Sequence, residues 1–261
     1  MTKLFKEGPA TISSHPTHRQ GHKLKLVNTA GEMFQCDGCM ERGHGPRYRC
    51  EPCNFDLHTC CALAPEAMEH HRLFPGCRFV LLREPLAAAT ANARGTLCDA
   101  CGDRLHARGL VYHCADRDLD LHPTCASLPA QFTVGDHRFE LAKESSRRCG
   151  RCREKCREFW FYRSHVDGEP LHLHVSCLKT MQALPSSSQN FAVADGEIMQ
   201  VVSSPAMQGL LQSLPKRKTN GRSGLERFLT IVAGAIRVII ALIFGDPTAM
   251  IVAVAGAILN S

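Results

Sequence analysis

The chain has 261 residues and a formal net charge of +6, with 44% hydrophobic and 6% aromatic residues. The basic excess is concentrated late: Lys216, Arg217, Lys218, Arg222, Arg227 and Arg237 are matched there only by Glu226 and Asp246, so +4 of the +6 lies from Lys216 onward. The remaining +2, with one Trp and three Tyr in the whole chain, argues against a phosphate-tracking or base-stacking surface, and no specific nucleic-acid partner is expected.

Fifteen cysteines and fourteen histidines crowd the region before Leu184. Such density means disulfides in an oxidising compartment or thiolate metal sites in a reducing one. Three features favour metal. Met1 to Ser14 holds no apolar run that could act as a secretory signal, the cysteine count is odd, and CxxC pairs recur with HxxC at fixed offsets. Disulfide frameworks have no use for histidine at a set spacing. The expected location is cytoplasmic, not secreted.

The first repeat, expected over residues 15–75, opens on the strand pattern His22-Lys-Leu-Lys-Leu-Val27. Cys36 and Cys39 follow, then the aromatic-led strand Tyr48-Arg-Cys50, the partner Cys53, and Phe55-Asp-Leu-His58 leading to Cys61. A tight turn puts both sulfurs of a CxxC pair on one side, so each pair serves one ion, and Zn²⁺ takes four tetrahedral N/S donors. Two pairs this close suit an interleaved arrangement. It would give Cys36, Cys39, His58 and Cys61 to one zinc, and His22, Cys50, Cys53 and a late histidine to the other. His70 and His71 both compete for that last place, and His71 is preferred.

The second repeat, residues 76–132, runs Cys77-Arg-Phe-Val-Leu-Leu82, Cys98/Cys101, Tyr112-His-Cys114 and Leu119-Asp-Leu-His122 to Cys125. Arg117 stands where Cys53 stands in the first. The third, residues 133–182, runs His137-Arg-Phe-Glu-Leu-Ala142, Cys149/Cys152, Tyr162-Arg-Ser164 and Leu171-His-Leu-His174 to Cys177, with Asp167 in the Cys53 place. One site therefore survives in each of these two: Cys98, Cys101, His122 and Cys125, and Cys149, Cys152, His174 and Cys177. The expectation is four zinc ions, two plus one plus one, with Cys77 and Cys114 left as a degenerate remnant.

Phe34-Gln-Cys36-Asp-Gly-Cys39 and Tyr48-Arg-Cys50-Glu-Pro-Cys53-Asn-Phe-Asp-Leu-His58 resemble the plant divergent C1 (DC1) cysteine/histidine-rich family, relatives of the diacylglycerol-binding module. The resemblance covers roughly residues 22–180, about three-fifths of the chain. It implies small α+β zinc-stabilised modules, three in tandem, each of short antiparallel sheets with a short helix. It also implies an interaction or signalling role. The lipid-binding relatives carry a longer loop between the two CxxC pairs than the ten residues enclosed by Cys39 and Cys50, so no diacylglycerol binding is expected.

Two other readings compete. The Cys-Cys-Cys-Cys-His-Cys order of the first repeat also opens a PHD or RING finger, for chromatin reading or ubiquitin transfer, if Cys98/Cys101 closed it. A dithiol redox protein would use the CxxC pairs directly, but lacks a βαβ context here. No nucleophile–base pair, Gly-rich phosphate loop or paired carboxylates stand out, and closed four-ligand sites leave no position for water, so no enzyme is expected.

Residues 183–224 read as a linker and 225–261 as an apolar tail. Phe228 to Phe244 and Thr248 to Leu259 form two apolar helix patterns around the stop Gly245-Asp246-Pro247, a helical hairpin. Seventeen residues barely span a bilayer, and Arg237 would cost about 2.5–3.5 kcal/mol at its centre. The hairpin is expected to lie on the cytosolic face of a membrane or to drive self-association. Protein partners are expected for the zinc modules, of no identifiable kind.

Overall fold

The computed structural model describes residues 8–182 apart from 19–20, 30–31, 70, 87–95, 135–136 and 167. These residues fall into two compact units, one up to Pro129 with the first two modules and one from Ala130 with the third. The linker and the apolar hairpin expected beyond 182 lie outside the described residues. Among those described, no helix is long and apolar enough to cross a membrane.

The first module contains β1 (Thr11–Ile12), β2 (Leu24–Val27), β3 (Met33–Gln35), β4 (Arg42–His44), β5 (Arg47–Cys50), β6 (Phe55–His58) and the single-turn α1 (Thr59–Ala62). β1, β2, β5 and β6 form one antiparallel sheet in that order, and β3 pairs with β4. The second module repeats the sheet with β7 (Ala67–Glu69), β8 (Arg78–Leu82), β9 (Val111–Cys114) and β10 (Leu119–Leu121), followed by α2 (Pro123–Ala126). The third does so with β11 (Gln131–Val134), β12 (His137–Ala142), β13 (Phe161–Val166) and β14 (Glu169–His174), followed by α3 (Val175–Gln182). The modules are sheet-rich, with few and short helices.

The strands turn apolar residues inward. Leu24, Tyr48 and Leu57 are buried in the first module, Phe79, Tyr112 and Leu121 in the second, Phe139, Tyr162 and Leu173 in the third. A handful of side chains per module is a small core, and domains this small usually need a metal or disulfides as well. None of the described cysteines is in a disulfide.

Strand pairing corrects the expected boundaries. β7 pairs with β8 through Ala67↔Val80 and Glu69↔Arg78, so the second module begins before 76, inside the span 15–75 assigned to the first. β1 likewise extends the first module ahead of residue 15, and β11 starts the third ahead of 133. Short N-terminal strands with no alternating pattern of their own became visible only through their partners.

The hairpin after the aromatic-led strand is the same in the first two modules and differs in the third. In the first module Cys50↔Phe55 closes a four-residue loop that carries Cys53 and turns at Asn54, whose φ is 46°. In the second, Cys114↔Leu119 closes the same loop, turned at Asp118 with φ 50°. In the third, pairing continues past Ser164↔Leu171 through His165↔Pro170 to Val166↔Glu169.

Candidate metal centres

Each CxxC pair lies in the same knuckle. Cys36 N donates to Glu41 O and Met40 N to Cys36 O, both at 2.9 Å. Cys98 and Asp103, with Gly102, repeat this, as do Cys149 and Glu154, with Arg153. The residue after the second cysteine turns left-handed every time: Met40 at φ 63°, Gly102 at 76°, Arg153 at 66°. The knuckle is then tied to the strand that bears the histidine. Asp37 N donates to Asp56 O, and Asp56 N to the Asp37 carboxylate at 2.7 Å. Asp99 and Asp120 do the same in the second module.

Four groups of donors result among the described residues, the ligand atoms within each lying within 4.8 Å of one another. Cys36, Cys39, His58 and Cys61 form the first, wholly buried; Cys98, Cys101, His122 and Cys125 the second, also buried. Cys149, Cys152, His174 and Cys177 form the third, with Cys152 exposed. The last group is His18, His22, Cys50 and Cys53.

The donor sets fit a tetrahedral ion. With Zn–S about 2.3 Å and Zn–N about 2.0–2.1 Å, a tetrahedron has edges of about 3.5 Å between N and S and about 3.8 Å between sulfurs. His58 Nδ1 lies 3.3 Å from Cys39 Sγ and 3.8 Å from Cys61 Sγ. His122 Nδ1 is 3.5 Å from Cys101 Sγ, and His174 Nδ1 is 3.3 Å from Cys152 Sγ. Cys149 and Cys177 sulfurs stand 3.9 Å apart. At the remaining group, His22 Nδ1 is 3.2 Å from Cys53 Sγ and 3.8 Å from Cys50 Sγ. The backbone N–H groups of His58, His122 and His174 donate to the first cysteine of their own group at 3.4–3.5 Å, which favours a thiolate there.

Protonation follows the same plan. Burial pushes the Cys36 thiol up, but hydrogen bonds from Cys39 and Cys61 and the charge of His58 outweigh it and hold Cys36 well below the ordinary thiol range. Cys39, buried and donating to Cys36, is pushed up to about 12. Cys149 is drawn down to about 3, first by the Cys177 hydrogen bond. One thiolate gathers its neighbours' protons, and a divalent cation would displace them.

His71 does not join a group. The expected eighth donor lies instead in the second module, packed on Phe74 and Phe79 with ring centroids 5.9 and 6.3 Å away. The pairing of β7 with β8 draws residues 67–69 into the second sheet and carries His71 along. His18 takes the place in the metal group. Its ring packs on Phe55 at 4.8 Å, and both ring nitrogens are buried with no hydrogen-bond partner among the described residues. A metal ion would satisfy one of them. The signal available in the sequence was the histidine-rich run His15-Pro-Thr-His18 ahead of His22.

The same alignment accounts for Cys77 and Cys114. Phe74 N donates to His71 O as His18 N donates to His15 O, so Phe74 occupies the His18 place. Arg117, in the Cys53 place, donates to Pro75 O at 3.1 Å. Two of four donors are gone, replaced by a phenyl ring and a cation, and burial together with Cys114 raises the Cys77 thiol. Cys98 and Cys101 group with His122 and Cys125, so they do not close the first module as a PHD or RING finger requires.

His71 has a consequence of its own. Burial pushes its imidazole down to about 4 from an ordinary 6.5. Between those values the unfolded chain binds a proton that the folded one refuses, so stability is full above about pH 6.5 and falls as pH drops toward 4. His71→Phe should flatten this fall by about 1.5 kcal/mol between pH 6.5 and 5, the slope approaching about 1.4 kcal/mol per unit at the lower end. Urea unfolding of both proteins at saturating zinc would measure it; parallel curves would refute it.

The model of the C1 domain family matches residues 16–62. Probable nucleoredoxin 1 of Arabidopsis thaliana is 35% identical over 68 residues, which make up 26% of this chain and 11% of that relative. The chain thus spans about a tenth of the length of the curated relative it matches. No solved structure gives a significant match. The family match takes in His18, His22, Cys36, Cys39, Cys50, Cys53, His58 and Cys61, every donor of the first two-site module, and stops short of His71. The match over residues 16–62, with donor groups of the same kind recurring in the other two modules, fits a zinc-binding C1-like family.

Proposed function

We propose that the chain is a zinc-binding tandem C1-like adaptor that docks other proteins, and through its apolar tail a membrane surface or a second copy, in intracellular signalling. The observation that carries this reading is the donor count: each of the four groups offers four protein ligands. Zinc in such a set is structural, because no coordination position remains for a reacting water. What the ions support is then surface, held on sheets too small to fold unaided, and the protein is read as non-catalytic. The ions are read as zinc because mixed thiolate–imidazole tetrahedra suit it.

The redox meaning in the name of the nucleoredoxin relative supports a dithiol role less well. Every CxxC pair here sits within a four-donor group, where a bound ion would block disulfide exchange. Diacylglycerol binding is not part of the proposal, since the segment between the CxxC pairs is short and β4 and the start of β5 occupy it. The location is proposed as cytosolic, with residues 225–261 holding the modules to a membrane face.

Proximity labelling in cells tests the proposal. The full-length chain should label a set of neighbours that is lost when Cys39 and Cys101 are both replaced by serine, and a membrane-enriched subset that is lost on removing residues 225–261. An identical set from the cysteine variant would refute the adaptor reading.

A further inference from the structure

The first two modules meet at the first module's own knuckle. Leu110 N donates to Gly38 O at 2.7 Å, and Leu110 is buried in the first module's core. Gly109 allows this approach: a Cβ there would come within 2.9 Å of Cys39 O. Beside this contact the histidines of the two buried metal groups differ in one respect. His58 turns Nδ1 toward its sulfurs and has Nε2 3.2 Å from Arg42 O, a backbone acceptor of its own module. His122 turns Nδ1 toward Cys101, but its Nε2 lies 3.6 Å from Oε1 of Glu41, a residue of the first module.

Glu41 is held for this task. Its backbone carbonyl accepts from Cys36 N, which closes the first knuckle, and its other carboxylate oxygen accepts from Thr124 Oγ1 in α2. The His122 and Glu41 side chains are 2% and 15% exposed, so the pair is shielded from water. We propose that Glu41 is a positioning residue for the second module's metal: it keeps the His122 proton on Nε2, leaves Nδ1 to the ion, and makes metal retention in the second module depend on the folded knuckle of the first. A carboxylate behind a ligating histidine fixes the ring and strengthens it as a donor. Here the carboxylate is reached across a module boundary, so the two sites become coupled.

The inference rests on the zinc reading, and the experiment separates the two. In the full-length chain at saturating zinc, Glu41→Leu should still bind four ions by native mass spectrometry. One of the four should pass to a competing chelator about 10–100-fold more readily than in the wild type. Proton–nitrogen correlation of the His122 ring should show a single Nε2–H tautomer in the wild type and its loss in the variant. An unchanged chelator profile, with four ions in the wild type, overturns the coupling and leaves the zinc reading standing. A wild type that binds no zinc overturns both. A loss shared equally by all four ions marks a merely structural role and also overturns the proposal. Should Glu41→Leu fail to fold, Glu41→Gln, of the same size, should show a smaller loss at the same single site; no loss there overturns it.

Discussion

Cys101→Ser should cost the protein one zinc ion and unfold the second module, the largest effect expected of any single substitution. The group of Cys98, Cys101, His122 and Cys125 is that module's only complete donor set among the described residues. Closed thiolate sites supply of order 10–16 kcal/mol of apparent binding free energy at neutral pH, which in small modules is folding free energy. The core left behind, centred on Phe79, Tyr112 and Leu121, is too small to replace it. Unfolding would also withdraw Leu110 from the first module. Cys53→Ser should be milder, losing one ion while the buried Cys36, Cys39, His58 and Cys61 group persists. Cys114→Ser should lose none, because Phe74 and Arg117 stand in for its missing partners. Native mass spectrometry gives the counts and amide exchange the extent of unfolding. Six ions in the wild type, or an ion lost on Cys114→Ser, would show that the remnant of Cys77 and Cys114 is a working site.

His18→Ala should remove one ion and His71→Phe none. His18 sits with His22, Cys50 and Cys53, its ring nitrogens buried without a hydrogen-bond partner among the described residues, so its loss opens the tetrahedron. The first module should stay folded through its other group, with the segment between β1 and β2 loosened. His18→Cys, which restores a donor of suitable type, should recover the ion. Zinc lost on His71→Phe and kept on His18→Ala would reverse the assignment.

The modules survive different losses because the two kinds of site sit differently in the fold. The buried group ties the knuckle to β6, β10 or β14 and their following helices, which hold the module's centre. The second group ties the segment before β2 to the β5–β6 loop, at the edge. Losing the edge group leaves a sheet whose strands still pair, and the third module shows how: β13 and β14 simply pair further.

Much of this was determined by the sequence alone. CxxC and HxxC are local spacings, and a knuckle or a single helical turn brings both donors of each pair together whatever the rest of the chain does. Once three repeats aligned, the ligands Cys36, Cys39, His58 and Cys61, and their counterparts in the other modules, followed from the order of the pairs, as did the gaps at Arg117 and Ser164. Tertiary structure alone decided what depends on distant pairing. His18 and not His71 joins His22, Cys50 and Cys53 because Ile12↔Leu24 folds the preceding segment back over Phe55, while Ala67↔Val80 takes His71 into the next module. Neither pairing leaves a periodic trace in two- or three-residue strands. The contact of Glu41 with His122 is likewise invisible in sequence, since 81 positions separate them and it forms where the first two modules meet, beside the seating of Leu110 on Gly38. Local spacing chooses the kind of donor; the register of short, unpatterned strands chooses which donor arrives.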